Sequence, residues 1–81
     1  MRLDKYLKVS RLIKRRTVAG DACTAGRVSI NGKVAKPSHD VKIGDIIELT
    51  FGARITKVEV LSIQETVSKD AASGMYREII D

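Results

Sequence analysis

Residues 2–16 read RLDKYLKVSRLIKRR, and the rest of the chain is expected to hold this stretch in place. The stretch carries seven Lys or Arg and one Asp, a net charge of +6. The other residues carry eight basic and nine acidic side chains, a net charge of −1. The excess positive charge is therefore local, and a local cationic surface suits a polyanionic partner.

A helix is predicted over residues 3–9 by the spacing of the apolar side chains in this stretch. At about 100° per residue, one side of such a helix carries Leu3, Tyr6, Leu7 and Ser10. The other side carries Asp4, Lys5, Lys8 and Arg11. The first side can pack in a core while the second faces phosphate, although the simpler alternative is a solvated charged face on an amphipathic helix.

Three adjacent cations at residues 14–16 argue against that simpler alternative. Leu12 and Ile13 before them are expected to be held by the core, so the three charges cannot relax away from one another without an anion. Asp4 is expected to orient a nearby arginine rather than to touch the anion. It lies in the first turn of the helix, where a carboxylate is favoured.

The length of 81 residues leaves room for one small domain and not for a catalytic domain with its own cleft. A formal charge of +5 favours rRNA, tRNA, DNA or an anionic membrane as the partner. Aromatic residues make up only 4% of the chain, so we expect recognition through shape and phosphate rather than through stacked bases. No apolar run approaches the roughly 20 residues of a membrane span or resembles a signal peptide, so we expect a cytoplasmic protein.

The single cysteine and the single histidine do not suggest a metal site. Cys23 lies at a small-residue position of a predicted helix and is expected to be inert packing. His39 is expected to be a loop residue. We expect no metal, no cofactor and no catalytic residue, because no second carboxylate or histidine forms an evident constellation with Asp4.

A second helix and a hairpin are predicted to follow the basic stretch. Thr17 is expected to cap a helix over residues 18–25, whose small side chains allow close approach to the first helix. The small-sided stripe comprises Val18, Ala19, Ala22 and Cys23. Gly26 is expected to leave the helix in a left-handed conformation, and Asn31-Gly32 is a strong signal for a tight hairpin turn.

Further strands are predicted over residues 46–51 and 55–63, joined by a hairpin at residues 52–54. The alternation in the second strand is imperfect and leaves open which of its faces is buried. The expected architecture is α+β, with two antiparallel N-terminal helices packed on a small antiparallel sheet of hairpins. We expect residues 1–63 to form this domain and residues 64–81 to be a tail that docks on it or extends it.

Four short motifs occur in order along the first half of the chain. They are Arg2-Leu3-Asp4, Arg16-x-x-Ala19, Gly26-Arg27-Val28 and Asn31-Gly32. The ordered set covers about residues 1–51 and resembles the alpha-L RNA-binding motif of the bacterial small-subunit ribosomal protein S-four. In that family two antiparallel helices and the following hairpin grip structured RNA together.

Nearly the whole chain also resembles stand-alone members of that family. The similarity lies in the opening RLDKYLKVSRLIKRRT, in KPSHDVKIGD, and in the pairing of Ala71-Ala72 with Met75-Tyr76. These members are the ribosome-associated quality control proteins P of Gram-positive bacteria and the proteobacterial heat-shock proteins of fifteen kilodaltons.

The resemblance to these stand-alone members implies a set of partners. They are large-subunit rRNA and peptidyl-tRNA on an obstructed large ribosomal subunit, together with the NEMF-type tailing factor whose addition of alanine tails the protein would support. The alternative is a heat-shock-type protein that binds large subunits or other structured RNA without a role in tailing. We expect a monomer that does not contact a membrane.

The residues expected to bind RNA come from the helices and from the first hairpin. Arg2 and Arg16 are the strongest candidates, because both match the family motif and a guanidinium can bind phosphate through two hydrogen bonds. The full set is Arg2, Lys5, Arg11, Lys14, Arg15, Arg16, Arg27, Asn31 and Lys33.

Four other functions fit the sequence less well. An enzyme that carries this motif as an appendage would need a longer chain. A DNA-binding helix-turn-helix would need basic side chains on its second helix, and residues 18–25 have none. Membrane-surface binding would need the narrow apolar side of the first helix, which the core uses. An adaptor for an acidic protein stays open, and competition by purified rRNA or tRNA would distinguish it.

Overall fold

The basic stretch folds into α1 (Leu3–Val9) and the turn that follows it, in a computed structural model that describes residues 1–65 and 67–80. The bounds of α1 agree with the predicted helix. The side predicted to be apolar is buried, with Leu3, Tyr6 and Leu7 wholly inaccessible to solvent. Ile13 is also buried, and Leu12 packs against the core. The predicted orientation of this stretch is therefore confirmed except at Asp4, which was assigned to the exposed side and is buried.

A distant loop satisfies the first backbone donors of α1. The N–H groups of Leu3 and Asp4 donate to the carbonyl oxygens of His39 and Pro37 at 2.8 and 3.1 Å. The N-terminal amine pairs with the Asp40 carboxylate at 2.8 Å. Helix N-termini leave such donors without intrahelical acceptors, so the carbonyl groups of this loop cap α1. It also brings the chain that leaves the first hairpin back to the start of α1.

The second helix, α2 (Arg16–Thr24), begins earlier than predicted. The Ala19 N–H donates to the Arg15 carbonyl at 3.0 Å, so the helical hydrogen bonds start at Arg15. The prediction that Thr17 caps this helix is wrong, because Thr17 lies within the first turn. No side chain caps the helix at Arg15, and burial of Ala19, Ala22 and Cys23 is what holds α2 in place.

Val18 is an exception to the predicted small-sided stripe. This residue is 45% exposed and lines a groove with Phe51 and Arg27 instead of packing in the core. At the other end of the helix, Gly26 has a φ of +78° and leaves α2 in the left-handed region as predicted.

One antiparallel sheet, with strands in the order β2-β1-β3-β4-β5, supports the helices within the described residues. The strands are β1 (Val28–Ile30), β2 (Lys33–Val34), β3 (Ile46–Phe51), β4 (Arg54–Val60) and β5 (Tyr76–Glu78). The turn between β1 and β2 has positive φ at both central residues, +52° at Asn31 and +86° at Gly32, as the sequence predicts. The α+β architecture is confirmed.

The strand β4 ends three residues before the predicted bound because the chain turns toward Met75. The N–H groups of Leu61 and Ser62 both donate to the Met75 carbonyl, at 2.8 and 3.1 Å. The buried Tyr6 hydroxyl donates to the same oxygen at 2.8 Å, which ties α1 to the C-terminal segment. Burial, with the nearby Tyr76, raises the pKa of Tyr6 well above its usual value, so the hydroxyl remains a donor at neutral pH.

The C-terminal segment consists of α3 (Lys69–Ala72), a 3-10 turn (Ser73–Met75) and β5, which pairs with β4. Ser68 caps α3 by accepting a hydrogen bond from the Ala71 N–H at 3.2 Å. Thr66 and Asp81, which belong to the predicted tail, lie outside the described residues.

The two faces of the sheet differ in burial. The inner face packs against the helices through Ile47, Leu49, Val58 and Val60. The buried face of β4, which the sequence left open, is therefore the face of Val58 and Val60. The opposite face, which we call the outer sheet face, carries Glu48, Lys57, Glu59 and Arg77.

Candidate nucleic-acid interface

A single carboxylate, that of Asp4, holds two arginines side by side at the start of α1. Arg2 donates from Nε to Oδ1 at 3.2 Å and from Nη2 to Oδ2 at 3.3 Å, a two-bond pairing. Arg16, at the start of α2, places Nη2 at 3.5 Å from Oδ1. We call these three residues the Asp4 cluster. The predicted role of Asp4 in orienting a nearby arginine is confirmed.

The Asp4 carboxylate is held ionised by its neighbours. Its side chain is only 11% exposed, and this burial alone would raise the pKa. Hydrogen bonds from Arg2 and from the Lys5 N–H, together with the charges of Arg16 and Arg2, outweigh burial and keep the pKa of Asp4 below its usual value. One full negative charge therefore faces two positive charges at neutral pH, and the cluster keeps a surplus of +1.

The arginines of the Asp4 cluster remain accessible. The side chains of Arg2 and Arg16 are 54% and 49% exposed. Each guanidinium carries five N–H donors, and Asp4 uses only part of them. The free donors can bind an external anion, and a planar guanidinium matches the oxygen geometry of a phosphate group.

A basic groove of about 400 Å³ runs along the exposed side of α1 next to the Asp4 cluster. Its cationic lining residues are Lys5, Lys8, Arg11 and Arg16. Val9 and Val67 are its apolar lining residues, and Glu65 is its acidic lining residue. The helical spacing of Lys5, Lys8 and Arg11 explains why these charges share one face.

Glu65 contributes the negative charge of the basic groove. Its carboxylate forms an ion pair with the Lys5 ammonium, and this pairing lowers the pKa of Glu65. An exposed pair of this kind contributes little to stability because solvent screens it. A carboxylate oxygen next to Lys5 occupies the kind of position that a phosphate oxygen would take.

The other predicted site residues lie outside this groove. Lys14 and Arg15 are exposed on the turn that precedes α2, and Lys33 is exposed immediately after the hairpin turn. Arg27 lines a separate groove with Val18 and Phe51. Among residues 1–65 and 67–80, no hydrogen bond or ion pair connects the Asp4 cluster with the hairpin residues of the predicted set.

The side chain of Asn31 is engaged within the chain. Its Nδ2 donates to Asp45 Oδ1 at 3.2 Å, and its Oδ1 accepts a hydrogen bond from the Ile46 N–H at 3.0 Å. These bonds fasten the hairpin turn to the start of β3. Contact of Asn31 with RNA stays a prediction, and it would have to use the remaining valences of the amide.

Lys8 is a lining residue that the predicted set omitted. Its position three residues from both Lys5 and Arg11 gave a sufficient signal, since residues at that spacing share a helix face. Glu65 and Val67 could not have been found in the same way. They come from a segment far along the chain, and only the fold brings them to α1.

Cys23 does not have the environment of a reactive thiol. Cys23 is buried, and burial together with the Asp4 charge raises the pKa of its thiol to about 11. The thiol is therefore protonated at neutral pH and unreactive. Within the described part of the chain, no group of three potential metal ligands is found, and no helix there is long and apolar enough to cross a membrane.

Comparison with known proteins places this geometry in a family. Residues 1–47 match the family model described as S4 domain. The chain is 52% identical over 80 residues to the RQC P-site tRNA stabilizing factor of Streptococcus pneumoniae, covering 99% of this chain and 90% of that protein. It is 53% identical over 76 residues to the protein of the same name in Halalkalibacterium halodurans, covering 94% of this chain and 86% of that protein.

A solved structure agrees with these matches. The trimeric structure of Vibrio cholerae Heat Shock Protein 15 superposes with a TM-score of 0.90 at 35% identity, over 98% of this chain and 81% of that one. The chain therefore belongs to the S4-domain family and, within it, to the family of proteins named RQC P-site tRNA stabilizing factor. The resemblance found in the sequence is confirmed.

Proposed function

We propose that this chain is a non-enzymatic RNA clamp that binds the large ribosomal subunit during ribosome-associated quality control. The observation that carries the proposal is the Asp4 cluster, in which Arg2 and Arg16 stand together and half exposed beside the basic groove. Relatives at about half identity over nearly the full chain bear a name that specifies P-site tRNA. The preorganised cations and these names support the same activity.

The clamp binds RNA through its phosphates. Asp4 fixes the two guanidiniums before RNA arrives, so less side-chain entropy is lost on binding. Phosphates then occupy the free donors of Arg2 and Arg16 and continue along Lys5, Lys8 and Arg11. The ammonium of Lys5 exchanges the Glu65 carboxylate for a phosphate oxygen. The predicted contacts from Lys14, Arg15, Arg27, Asn31 and Lys33 extend this interface.

The biological task that we propose is to hold peptidyl-tRNA on an obstructed large subunit. The partners are large-subunit rRNA, the peptidyl-tRNA and, on the same particle, a NEMF-type factor that adds alanine residues to the stalled nascent chain. A ribosome-bound factor of this kind acts in the cytoplasm. The name shared by the relatives supports the tRNA part of this proposal, and the tailing part rests on the resemblance of the whole chain to quality control proteins.

Co-sedimentation with purified large subunits tests the proposal. Arg16→Ala should lose most of its association with the subunits because it removes one of the two fixed guanidiniums. Arg77→Ala is the matched control, since it also removes one arginine but from the outer sheet face, where Arg77 pairs with Glu59 at 2.5 Å. Equal sedimentation of Arg16→Ala and the wild type would remove Arg16 from the interface and contradict the clamp.

A second candidate function follows from the match to Heat Shock Protein 15. In this alternative the chain binds large subunits or other structured RNA without a role in alanine tailing. Tail addition in cells that lack the gene and are complemented with either wild type or Arg16→Ala distinguishes the two. Tails that depend on Arg16 support quality control, and tails of equal abundance in every strain support the alternative.

A further inference from the structure

A third groove lies between the turn that follows α1 and the inner face of the sheet, with a volume of about 380 Å³. We call it the aromatic groove, because Phe51 and Tyr76 both line it. Arg11 and Arg54 provide its positive charge, and Glu78 is its acidic lining residue. This groove shares Arg11 with the basic groove, so the two form one continuous surface.

Strand register explains why the aromatic groove is open. Phe51 pairs with Arg54 and Leu49 pairs with Thr56 across β3 and β4. These four residues lie on the inner face of the sheet, because side chains two apart along a strand point the same way and Val58 is buried. The helices cover the middle of that face but not its end. Leu49 is therefore only 3% exposed as the floor of the groove, whereas Phe51 is 39% exposed.

The chemistry of the lining fits an unpaired nucleobase. Proteins bind single-stranded RNA by stacking bases on aromatic rings or guanidinium planes, with nearby cations for the phosphates. The aromatic groove provides two aromatic side chains, two arginines and the Thr56 hydroxyl around an apolar floor. An apolar side chain from a protein partner would offer the two arginines no hydrogen-bond acceptor.

The backbone of Arg11 supplies an independent observation. Arg11 lies in the turn that follows α1 and has a φ of +65°, in the left-handed region that favours glycine. An arginine in this conformation carries a cost in stability, and such strain is typical of functional positions. What arginine offers there, and glycine does not, is a guanidinium at the junction of the two grooves.

We propose that the aromatic groove binds an unpaired nucleobase of the RNA whose phosphates lie along the basic groove. The base stacks against Phe51, and Arg11 and Arg54 hold the phosphates on either side of it, while Tyr76 lines the groove further along β4. The proposal rests on the proposed function, since it describes a further contact to the same RNA. It also replaces the expectation that this chain recognises RNA without stacking bases.

The test compares two oligomers of equal charge by fluorescence anisotropy: a 12-nucleotide oligouridylate and a 12-nucleotide abasic ribose-phosphate chain. Stacking tolerates any base, so the sequence of the probe is not critical. Wild type should prefer the oligouridylate by roughly 5- to 150-fold, which corresponds to about 1–3 kcal/mol for one stacked base. Phe51→Leu should lose most of this preference, and Phe51→Tyr should retain it.

Two further variants serve as controls for the groove. Ile55→Ala removes an exposed apolar side chain from the outer sheet face, where Ile55 is 62% exposed, and should keep the preference. Arg54→Ala should weaken both oligomers about equally, since it removes a phosphate contact. Thermal melting of Phe51→Leu verifies that the fold survives, and Phe51→Tyr keeps the test valid if it does not.

The outcomes separate this inference from the proposed function. A wild-type protein that binds large subunits but binds both oligomers equally overturns the base site and leaves the clamp standing. A preference that persists in Phe51→Leu also overturns the base site. A protein that binds neither subunits nor oligomers overturns the clamp and the base site together.

Discussion

The start of α1 and the outer sheet face use charge in opposite ways. On the outer sheet face each cation has its own carboxylate, Lys57 with Glu48 at 3.8 Å and Arg77 with Glu59 at 2.5 Å. In the Asp4 cluster a single carboxylate serves two arginines. The outer sheet face is therefore neutral at these pairs, whereas the Asp4 cluster keeps a positive charge with unused donors. A surplus of fixed cations, rather than the number of cations, distinguishes the proposed binding surface from the outer sheet face.

The largest contrast is expected from two substitutions that each remove one negative charge next to Lys5. If charge alone governed affinity, both would tighten RNA binding. Asp4→Asn should instead weaken it by at least about fivefold, because fixing each arginine anew costs about 0.5–1.5 kcal/mol. Glu65→Gln should strengthen binding modestly, since it removes the carboxylate that competes for Lys5. Anisotropy with purified rRNA measures both, and tighter binding by Asp4→Asn would contradict a positioning role.

A smaller effect is expected when α1 is loosened from the C-terminal segment. Tyr6→Phe removes the hydrogen bond to the Met75 carbonyl but leaves the bonds from Leu61 and Ser62. The free energy of unfolding should fall by about 1 kcal/mol, equivalent to roughly 4–8 °C in Tm for a domain of this size. RNA affinity well below Tm should not change. A large loss of affinity in a folded Tyr6→Phe protein would mean that the C-terminal segment acts on the interface directly.

The smallest effect is expected in the acid range. The pKa of Asp4 is lowered in the folded state from its ordinary value of 3.8. The stabilisation by its carboxylate is thus complete above that ordinary value and disappears as pH falls through the folded-state pKa. Urea unfolding between about pH 2 and pH 7 should show a steeper acid loss of stability for wild type than for Asp4→Asn. Identical pH profiles would mean that the arginines do not stabilise the ionised carboxylate.

The sequence predicted those parts of the fold that local signals determine. The apolar spacing of α1, the Asn31-Gly32 turn and the strand β3 each depend on neighbouring residues, and their bounds were correct. The start of α2 was wrong because packing of Ala19 and its neighbours, not a capping side chain, defines it. The end of β4 was wrong because the Met75 carbonyl, fourteen residues after Leu61 along the chain, redirects the strand.

The same division holds for the candidate site. The charge pattern predicted Lys5, Arg11 and Arg16, which line the basic groove, and the pairing of Asp4 with arginine was predicted from its place in the first helical turn. The pairing of Lys5 with Glu65 depends on tertiary contacts that no local pattern reports. So does the presence of Phe51 and Tyr76 in the lining of one groove, because β5 joins the sheet only by pairing with β4. Low aromatic content alone gave no indication that two of the aromatic residues share one groove.

Counting the phosphates lost with each pair of cations provides the most direct test. Binding of purified large subunits is titrated with salt for wild type, for the Arg2→Ala/Arg16→Ala variant and for the Lys57→Ala/Arg77→Ala variant. The slope of log affinity against log salt falls by about 0.9 for each duplex phosphate contact removed. We expect the magnitude of this slope to fall by roughly two in Arg2→Ala/Arg16→Ala. The Lys57→Ala/Arg77→Ala variant should keep the wild-type slope. Equal slopes for the two variants would show that the Asp4 cluster is not the site of RNA binding.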